Sequence, residues 1–375
     1  MDTAQEDTIP STCKTSCLMT ADVPTYVAIR ILVASETDKN RGFESKYGKD
    51  VDNSPGWEHL CFPLRRFETS SPNGTHVCLV YPVLGPTVDN AERIFQDEEK
   101  SSDILRHISQ QTVQALATLH TSRICHADFR PSNILLELNC LDGLGEEEVM
   151  SLLGEPETTE IYIRKDSHPT PEVPYAPKYL VYPVEFEDSE CLANPPRIRI
   201  IDFGQAFQID ESPQPPAFGI PANYAAPEVI MENSGGIEMD LWSLGCTLFE
   251  IRLGRRLFDV FQSIGLSEVE YILEVALLLG RLPVEWAKFY KPRPGTEAEY
   301  EVTEADRESA RRFYDRIKGM PSSAGQAQAH SPQPLVSDAE AEIFADLLGR
   351  LLRYEKGGRL SAMEVVKHAW FGPST

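Results

Sequence analysis

The chain has 375 residues, 41% of them apolar, and a formal net charge of −23 from 58 acidic against 35 basic side chains. That apolar share is enough for a substantial core. The acidity argues against direct nucleic-acid binding, which needs a basic face, and suits a basic partner drawn in by the protein's field.

Residues 1–22 are polar and show no clear period. Tyr26 to Val33, a run of β-branched and apolar residues, predicts a buried strand. Thr37 to Lys49 is charged and is expected to hold a short helix. Cys61 to Phe67 and Thr75 to Tyr81 predict two strands, with Ser71-Pro72-Asn73-Gly74 as the hairpin turn between them. From Asp103 to His120 the apolar residues Ile104, Leu105, Ile108, Val113, Leu116 and Leu119 follow helical spacing. His107 and His120 read as ordinary surface or helix-end residues. Further helices are expected at Glu146–Leu153, Glu304–Lys318 and Ala339–Leu352.

Just beyond the long helix stands the most informative stretch, His126-Ala127-Asp128-Phe129-Arg130-Pro131-Ser132-Asn133. H-x-D-x-x-x-x-N running into an apolar strand is the pattern of a phosphotransfer loop. The spacing has a chemical reason. The Asp must accept the proton of an incoming hydroxyl, and the Asn five residues on must hold a metal ion on nucleotide phosphates. Further matches follow in order: Asp202-Phe203-Gly204 after a short apolar run, Ala226-Pro227-Glu228, the Asp240-Leu241-Trp242 helix, and Gly358-Arg359 before a closing helix.

Together these motifs resemble the large lobe of a eukaryotic protein kinase, from about residue 85 to the end. The resemblance implies an α+β, two-lobed fold: a small β-rich lobe over residues 1–84, incomplete here, and a large helical lobe over 85–375. The large lobe would carry inserts at about 138–196 and 291–335, the first Pro-rich, the second ending in linker chemistry. It also implies ATP and Mg²⁺ as cofactors, with Asp128 as the proton acceptor and Asn133 and Asp202 as metal ligands. Arg130 stands where Ser/Thr kinases aim a basic residue at the transferring phosphate. Val27-Ala28-Ile29-Arg30 matches the strand whose Lys holds the phosphates, so Arg30 replaces that Lys, an exchange that is not conservative. Glu44 is the candidate carboxylate partner. Tyr81 would line the back of the adenine pocket, and the segment Pro82, Val83 and Leu84 would bond adenine through its backbone.

Departures from the pattern favour a second reading, a catalytically impaired scaffold. No glycine precedes Gly42, so the glycine-rich loop is expected to be missing, with Ser16 to Ala21 as a strand remnant. Ile220 stands where a Thr commonly supports the catalytic Asp. Ala127 replaces the Arg that reads a phosphorylated activation loop, which speaks against regulation of that kind. Glu228 and Arg359 are expected to form a buried ion pair, and Asp240 to hold the catalytic-loop backbone.

Within the kinases, Asn73-Gly74-Thr75-His76-Val77-Cys78-Leu79-Val80, Leu84-Gly85-Pro86, Leu152-Leu153-Gly154-Glu155-Pro156 and Pro177-Lys178-Tyr179-Leu180-Val181 resemble the serine/arginine-rich-protein kinases, particularly their fungal relatives. That implies a basic, Arg-Ser-rich protein substrate and a monomer. The eight cysteines are scattered without paired spacing, and Cys13 and Cys17 lack the second pair a zinc site needs, so reduced thiols are expected. No signal-like segment opens the chain, and the most apolar stretch, Tyr271 to Leu279, is too short to span a bilayer. An intracellular protein, cytoplasmic or nuclear, is expected.

Overall fold

The structure, a computed structural model, describes residues 26–34, 55–96, 100–141, 143–161, 177–186, 189–210, 215, 217–260, 267–287, 309–319 and 336–372. The expected helix at Thr37–Lys49, the remnant at Ser16–Ala21, residues 304–308 of the charged helix and Glu44 lie outside these.

Two lobes share the chain, as a bilobed kinase fold requires. In the small lobe, β1 (Val27–Ile31), β2 (Arg65–Ser71) and β3 (Gly74–Pro82) form an antiparallel sheet in the order β1-β3-β2. Leu32, Val77 and Leu79 are its buried core, with Tyr81 packed against them. Where the sequence predicts β2 from Cys61, the strand begins at Arg65. The reason is competition from the large lobe: the Cys61 N–H donates to the Ile200 carbonyl at 2.8 Å, Leu60 bridges Ile200, and Pro63 has no N–H to give a ladder. Gly56 shows how tightly this segment approaches the large lobe. Its φ is 98°, and a Cβ there would lie 2.6 Å from the Gln114 carbonyl.

The chain crosses into the large lobe at β4 (Leu84–Thr87), which pairs with β6 (Ile134–Glu137), itself paired with β9 (Ile198–Ile200). Helix α1 (Ser101–Thr121) precedes the short strand β5 (Ile124–Cys125), to which β10 (Phe207–Gln208) is paired. Between β6 and β9 lies the expected insert. It holds helix α2 (Glu146–Leu153), whose first turn is closed by the Gly145 N–H donating to Glu148 Oε2 at 2.6 Å, and an exposed hairpin of β7 (Thr158–Glu160) and β8 (Tyr179–Val181).

Helix α3 (Ile237–Leu253) is the hub of the large lobe. It is apolar on nearly every face and almost wholly buried, the condition of a core helix. The remaining helices α4 (Ser267–Leu279), α5 (Ser309–Ile317) and α6 (Asp338–Leu351) belong to the same lobe. Arg252 of α3 makes a two-pronged bond to Glu340 of α6, at 2.8 and 2.9 Å. Ser337 caps α6 by accepting from the Glu340 N–H at 3.1 Å, which sets its start one residue before the predicted Ala339. Glu228 and Arg359 form the buried ion pair the sequence predicts, at 2.6 and 2.7 Å. No helix among the described residues is long and apolar enough to cross a membrane.

Candidate active site

The loop from β5 to β6 is bent around one carboxylate. Asp240, fully buried in α3, accepts the N–H of His126 at 2.7 Å and of Ala127 at 2.9 Å, as the sequence suggests. Ala127 takes a φ of 62°, a strained value for a residue with a side chain, and the two bonds hold it there. His120, expected to be an ordinary helix-end residue, is a third partner. Its Nε2 lies 3.1 Å from Asp240 Oδ2, with the ring almost wholly buried. Burial opposes charge on Asp240, yet the His120 bond and the His126 backbone hold its carboxyl below the ordinary range.

The bent loop presents Asp128. Arg130 Nε donates to Asp128 Oδ1 at 3.0 Å, and Asn133 Nδ2 donates to Oδ2 at 2.8 Å and to the Asp128 carbonyl at 2.8 Å. Asn133 thereby spends its amide N–H groups on Asp128, which leaves its amide oxygen as the acceptor for a cation. Burial pushes the Asp128 carboxyl above the usual carboxylate value, against the pull of Arg130 and Asn133.

Asp202 is delivered to the same place by β9. The Ile201 N–H donates to the Asn133 carbonyl at 2.9 Å, and His126 Nε2 lies 3.1 Å from the Ile201 carbonyl. Asp202 adopts the left-handed conformation, φ 62° and ψ 65°, which Asp tolerates better than most residues. Gly204 leaves the room this needs, since a Cβ there would meet Asp202 Oδ1 at 3.2 Å. The intervening Phe203 is buried, stacked on Phe62 at 4.8 Å and tilted against His126 at 5.2 Å. Phe62 therefore anchors the segment that enters the small lobe onto the metal-site turn, a role its run of apolar neighbours concealed.

Arg30 reaches across the cleft from β1, and its Nη1 donates to Asp202 Oδ1 at 2.8 Å. Tyr81 is the penultimate residue of β3, opposite Ala28. Val83 is the single residue between β3 and β4, and Leu84 begins β4 opposite Glu137. Ile220 is buried in the large core, so this position offers Asp128 no hydroxyl. The oxygen donors of Asn133 and Asp202 suit a hard cation such as Mg²⁺ rather than zinc, which favours sulfur and nitrogen.

Two features beside the loop carry no sequence signal. Arg123 makes a two-pronged pair with Asp210 at 3.0 and 2.6 Å, while the Ile209 N–H bonds the Arg123 carbonyl. This ties the segment after Asp202-Phe203-Gly204 to the residue that precedes β5 without an Arg at position 127. In addition, Glu250 of α3 is buried and accepts the Tyr224 hydroxyl at 2.7 Å. Burial raises its carboxyl, and the nearby charges of Asp89 and Asp259 push the same way, against Tyr224 and Arg256. Arg256 lies 3.9 Å from both Glu250 and Asp259.

The protein kinase domain family matches residues 188–371. Over those residues the chain is similar to a protein kinase domain. Its relatives include the serine/threonine-protein kinase Doa of Drosophila melanogaster, 26% identical over 331 residues, 86% of this chain and 33% of that protein. The dual specificity protein kinase CLK1 of Mus musculus is 26% identical over 305 residues, 80% of this chain and 50% of that one. The serine/threonine-protein kinase AFC1 of Arabidopsis thaliana is 25% identical over 308 residues, 79% of this chain and 55% of that one. The chain thus spans between a third and about half of these relatives. The chain is thus similar over most of its length to serine/threonine and dual-specificity kinases, and protein kinases in general use ATP and Mg²⁺.

The kinase reading gives Arg30 a measurable consequence. Its pair with Asp202 is well exposed, 45% and 34% at the side chains, so it contributes little to stability. Arg30→Met is therefore expected to leave the melting temperature nearly unchanged and to weaken ATP binding about tenfold, the equivalent of about 1.4 kcal/mol. Nucleotide titration checks this, and unchanged affinity would remove Arg30 from the phosphate site.

Proposed function

We propose that this chain is an ATP-dependent protein serine/threonine kinase that transfers the γ-phosphate to Ser or Thr of a basic, Arg-Ser-rich protein. The cleft would divide a small lobe, residues 1–84, from a large lobe, residues 85–375. The observation that carries the reading is the convergence of Asp128, Asn133 and Asp202 through the bonds from Asn133 to Asp128 and from Ile201 to Asn133.

In this reading Asp128 takes the hydroxyl proton of the incoming Ser or Thr onto its carboxylate. Asn133 fixes that carboxylate by bonding one of its oxygens. Arg130 bonds the other and sets positive charge where the phosphoryl group would pass. Asn133 Oδ1 and the Asp202 carboxylate would hold magnesium, which when bound neutralises charge on the nucleotide phosphates. Arg30 adds positive charge from the small lobe.

The substrate class rests on charge and on resemblance to the serine/arginine-rich-protein kinases. Asp89 and Asp259 add to the negative charge around the buried Glu250, and the net charge of −23 acts at longer range. The test is radiolabelled phosphate transfer to an Arg-Ser-repeat peptide and to the same peptide with Glu for Arg. We expect transfer to the basic peptide only, and Glu250→Gln to raise its KM about tenfold, within the worth of one charge-assisted hydrogen bond. Equal use of both peptides would overturn the substrate class. A scaffold is the second reading, favoured by Arg30 in place of the usual Lys and by Ile220 in place of a hydroxyl-bearing residue. Nucleotide binding without transfer to any Ser or Thr peptide would favour it.

A further inference from the structure

The insert leaves and rejoins the large lobe through one narrow neck. Leu138 faces Leu192 across an antiparallel bridge, and the Asn139 N–H donates to the Cys191 carbonyl at 3.0 Å. Cys140 and Cys191 flank this bridge, one on each strand of the neck. Both are half-buried, unlike Cys61, Cys78, Cys125 and Cys246, which are sealed in the cores. A disulfide needs Cα atoms about 4.4–6.8 Å apart and converging Cβ atoms. The bonded backbone bridge draws the two cysteine-bearing segments together at this point.

We propose that Cys140 and Cys191 form a reversible disulfide site, oxidised by low-molecular-weight disulfides, that closes the neck of the insert. Neither residue takes part in the phosphotransfer chemistry, so the site stands apart from the kinase reading. The exchange runs in two steps. Written from Cys191, the first step is attack by this half-buried residue, as thiolate, on one sulfur of the small disulfide. That S–S bond breaks, a protein–small-thiol disulfide forms, and one small thiolate leaves. The Cys140 thiolate then attacks Cys191 Sγ, forming the Cys140–Cys191 bond and expelling the second small thiolate. Two protein thiols are oxidised, one small disulfide is reduced to two thiols, and the protons lost by the cysteines end on those thiols.

The bond has mechanical reach. Cys140 follows β6, whose first residue succeeds Asn133, and Cys191 precedes β9, which leads to Asp202. Oxidation would staple together the far ends of the two strands that carry the proposed metal ligands.

The test uses the full chain equilibrated with mixtures of oxidised and reduced glutathione, trapped with iodoacetamide, digested without reductant and read by mass spectrometry. We expect a peptide pair joined through Cys140 and Cys191, formed faster at higher pH and released by dithiothreitol. Cys140→Ser should stop at a glutathione adduct on Cys191, which shows that the first step survives without the partner. Alkylation of both cysteines at every ratio would overturn the proposal. So would persistent glutathione adducts on both in the wild type, or bonds from either to other cysteines. None of these readouts depends on kinase activity, so the outcome is separable from that of the phosphotransfer assay.

Discussion

Asp128→Asn is expected to lower kcat by about 10²–10⁴-fold, the usual worth of a positioned general base. The substitution keeps the shape of a side chain bonded by Arg130 at 3.0 Å and by Asn133 at 2.8 Å. It removes the capacity to take the hydroxyl proton. Because Asp128 is placed to act on the reacting hydroxyl rather than on the bound nucleotide, KM for ATP should stay close to wild type. The pH profile supplies a second check. Burial raises the Asp128 carboxyl, so the residue takes up a proton at a higher pH than a free Asp. The base form is complete well above that value and is lost as pH falls through it. The acid limb of kcat should therefore lie above the ordinary carboxylate range, and Asp128→Asn should abolish that limb. Steady-state phosphate transfer across pH measures both. An unchanged kcat in the variant would remove Asp128 from the chemistry.

The second large effect concerns stability. Arg359→Ala should destabilise the large lobe by about 3–5 kcal/mol, because it strands a buried carboxylate. Glu228 is 1% exposed at its side chain and Arg359 0%. The guanidinium does more than pair with Glu228. It donates to the Arg353 carbonyl at 3.0 and 2.8 Å and to the Glu238 carbonyl at 2.8 Å, and lies 5.2 Å from the centre of the Trp242 ring. It thus ties the segment before the closing helix both to the Ala226-Pro227-Glu228 turn and to α3. The double variant Glu228→Met with Arg359→Met should be less damaging than either single truncation, since neither charge is left buried alone. Urea unfolding of the three variants measures the coupling. Additive losses would show that the pair does not act as a unit.

The sequence was most legible where chemistry dictates spacing. In the proposed reaction Asp128 and Asn133 would act from one loop, which fixes their separation. Asp240 was also recoverable, from the motif its helix shares with the kinases. Contacts between distant segments were less legible. His120 and Asp240 are 120 residues apart, and nothing in the apolar period of α1 singles out that histidine. The stack of Phe62 on Phe203 was hidden in the same way. An apolar run shows that a segment is buried but not against what, and Cys61 to Leu64 was read as strand for that reason. Tyr224 and Glu250 meet only because the turn at residues 222–228 lies over the end of α3. The insert was readable as an interruption, from its proline and acidic content. Its neck was not, because the approach of Cys140 to Cys191 depends on the pairing of Leu138 with Leu192.

The central claim is that Asp128, Asn133 and Asp202 surround one magnesium-bearing nucleotide, and calorimetric titration with ATP, with and without Mg²⁺, tests it most directly. Wild-type protein should bind ATP substantially tighter when Mg²⁺ is present. Asp202→Asn should lose most of that gain while keeping its magnesium-free affinity and its melting temperature. Binding that ignores Mg²⁺, or a magnesium gain that survives in Asp202→Asn, would contradict the account.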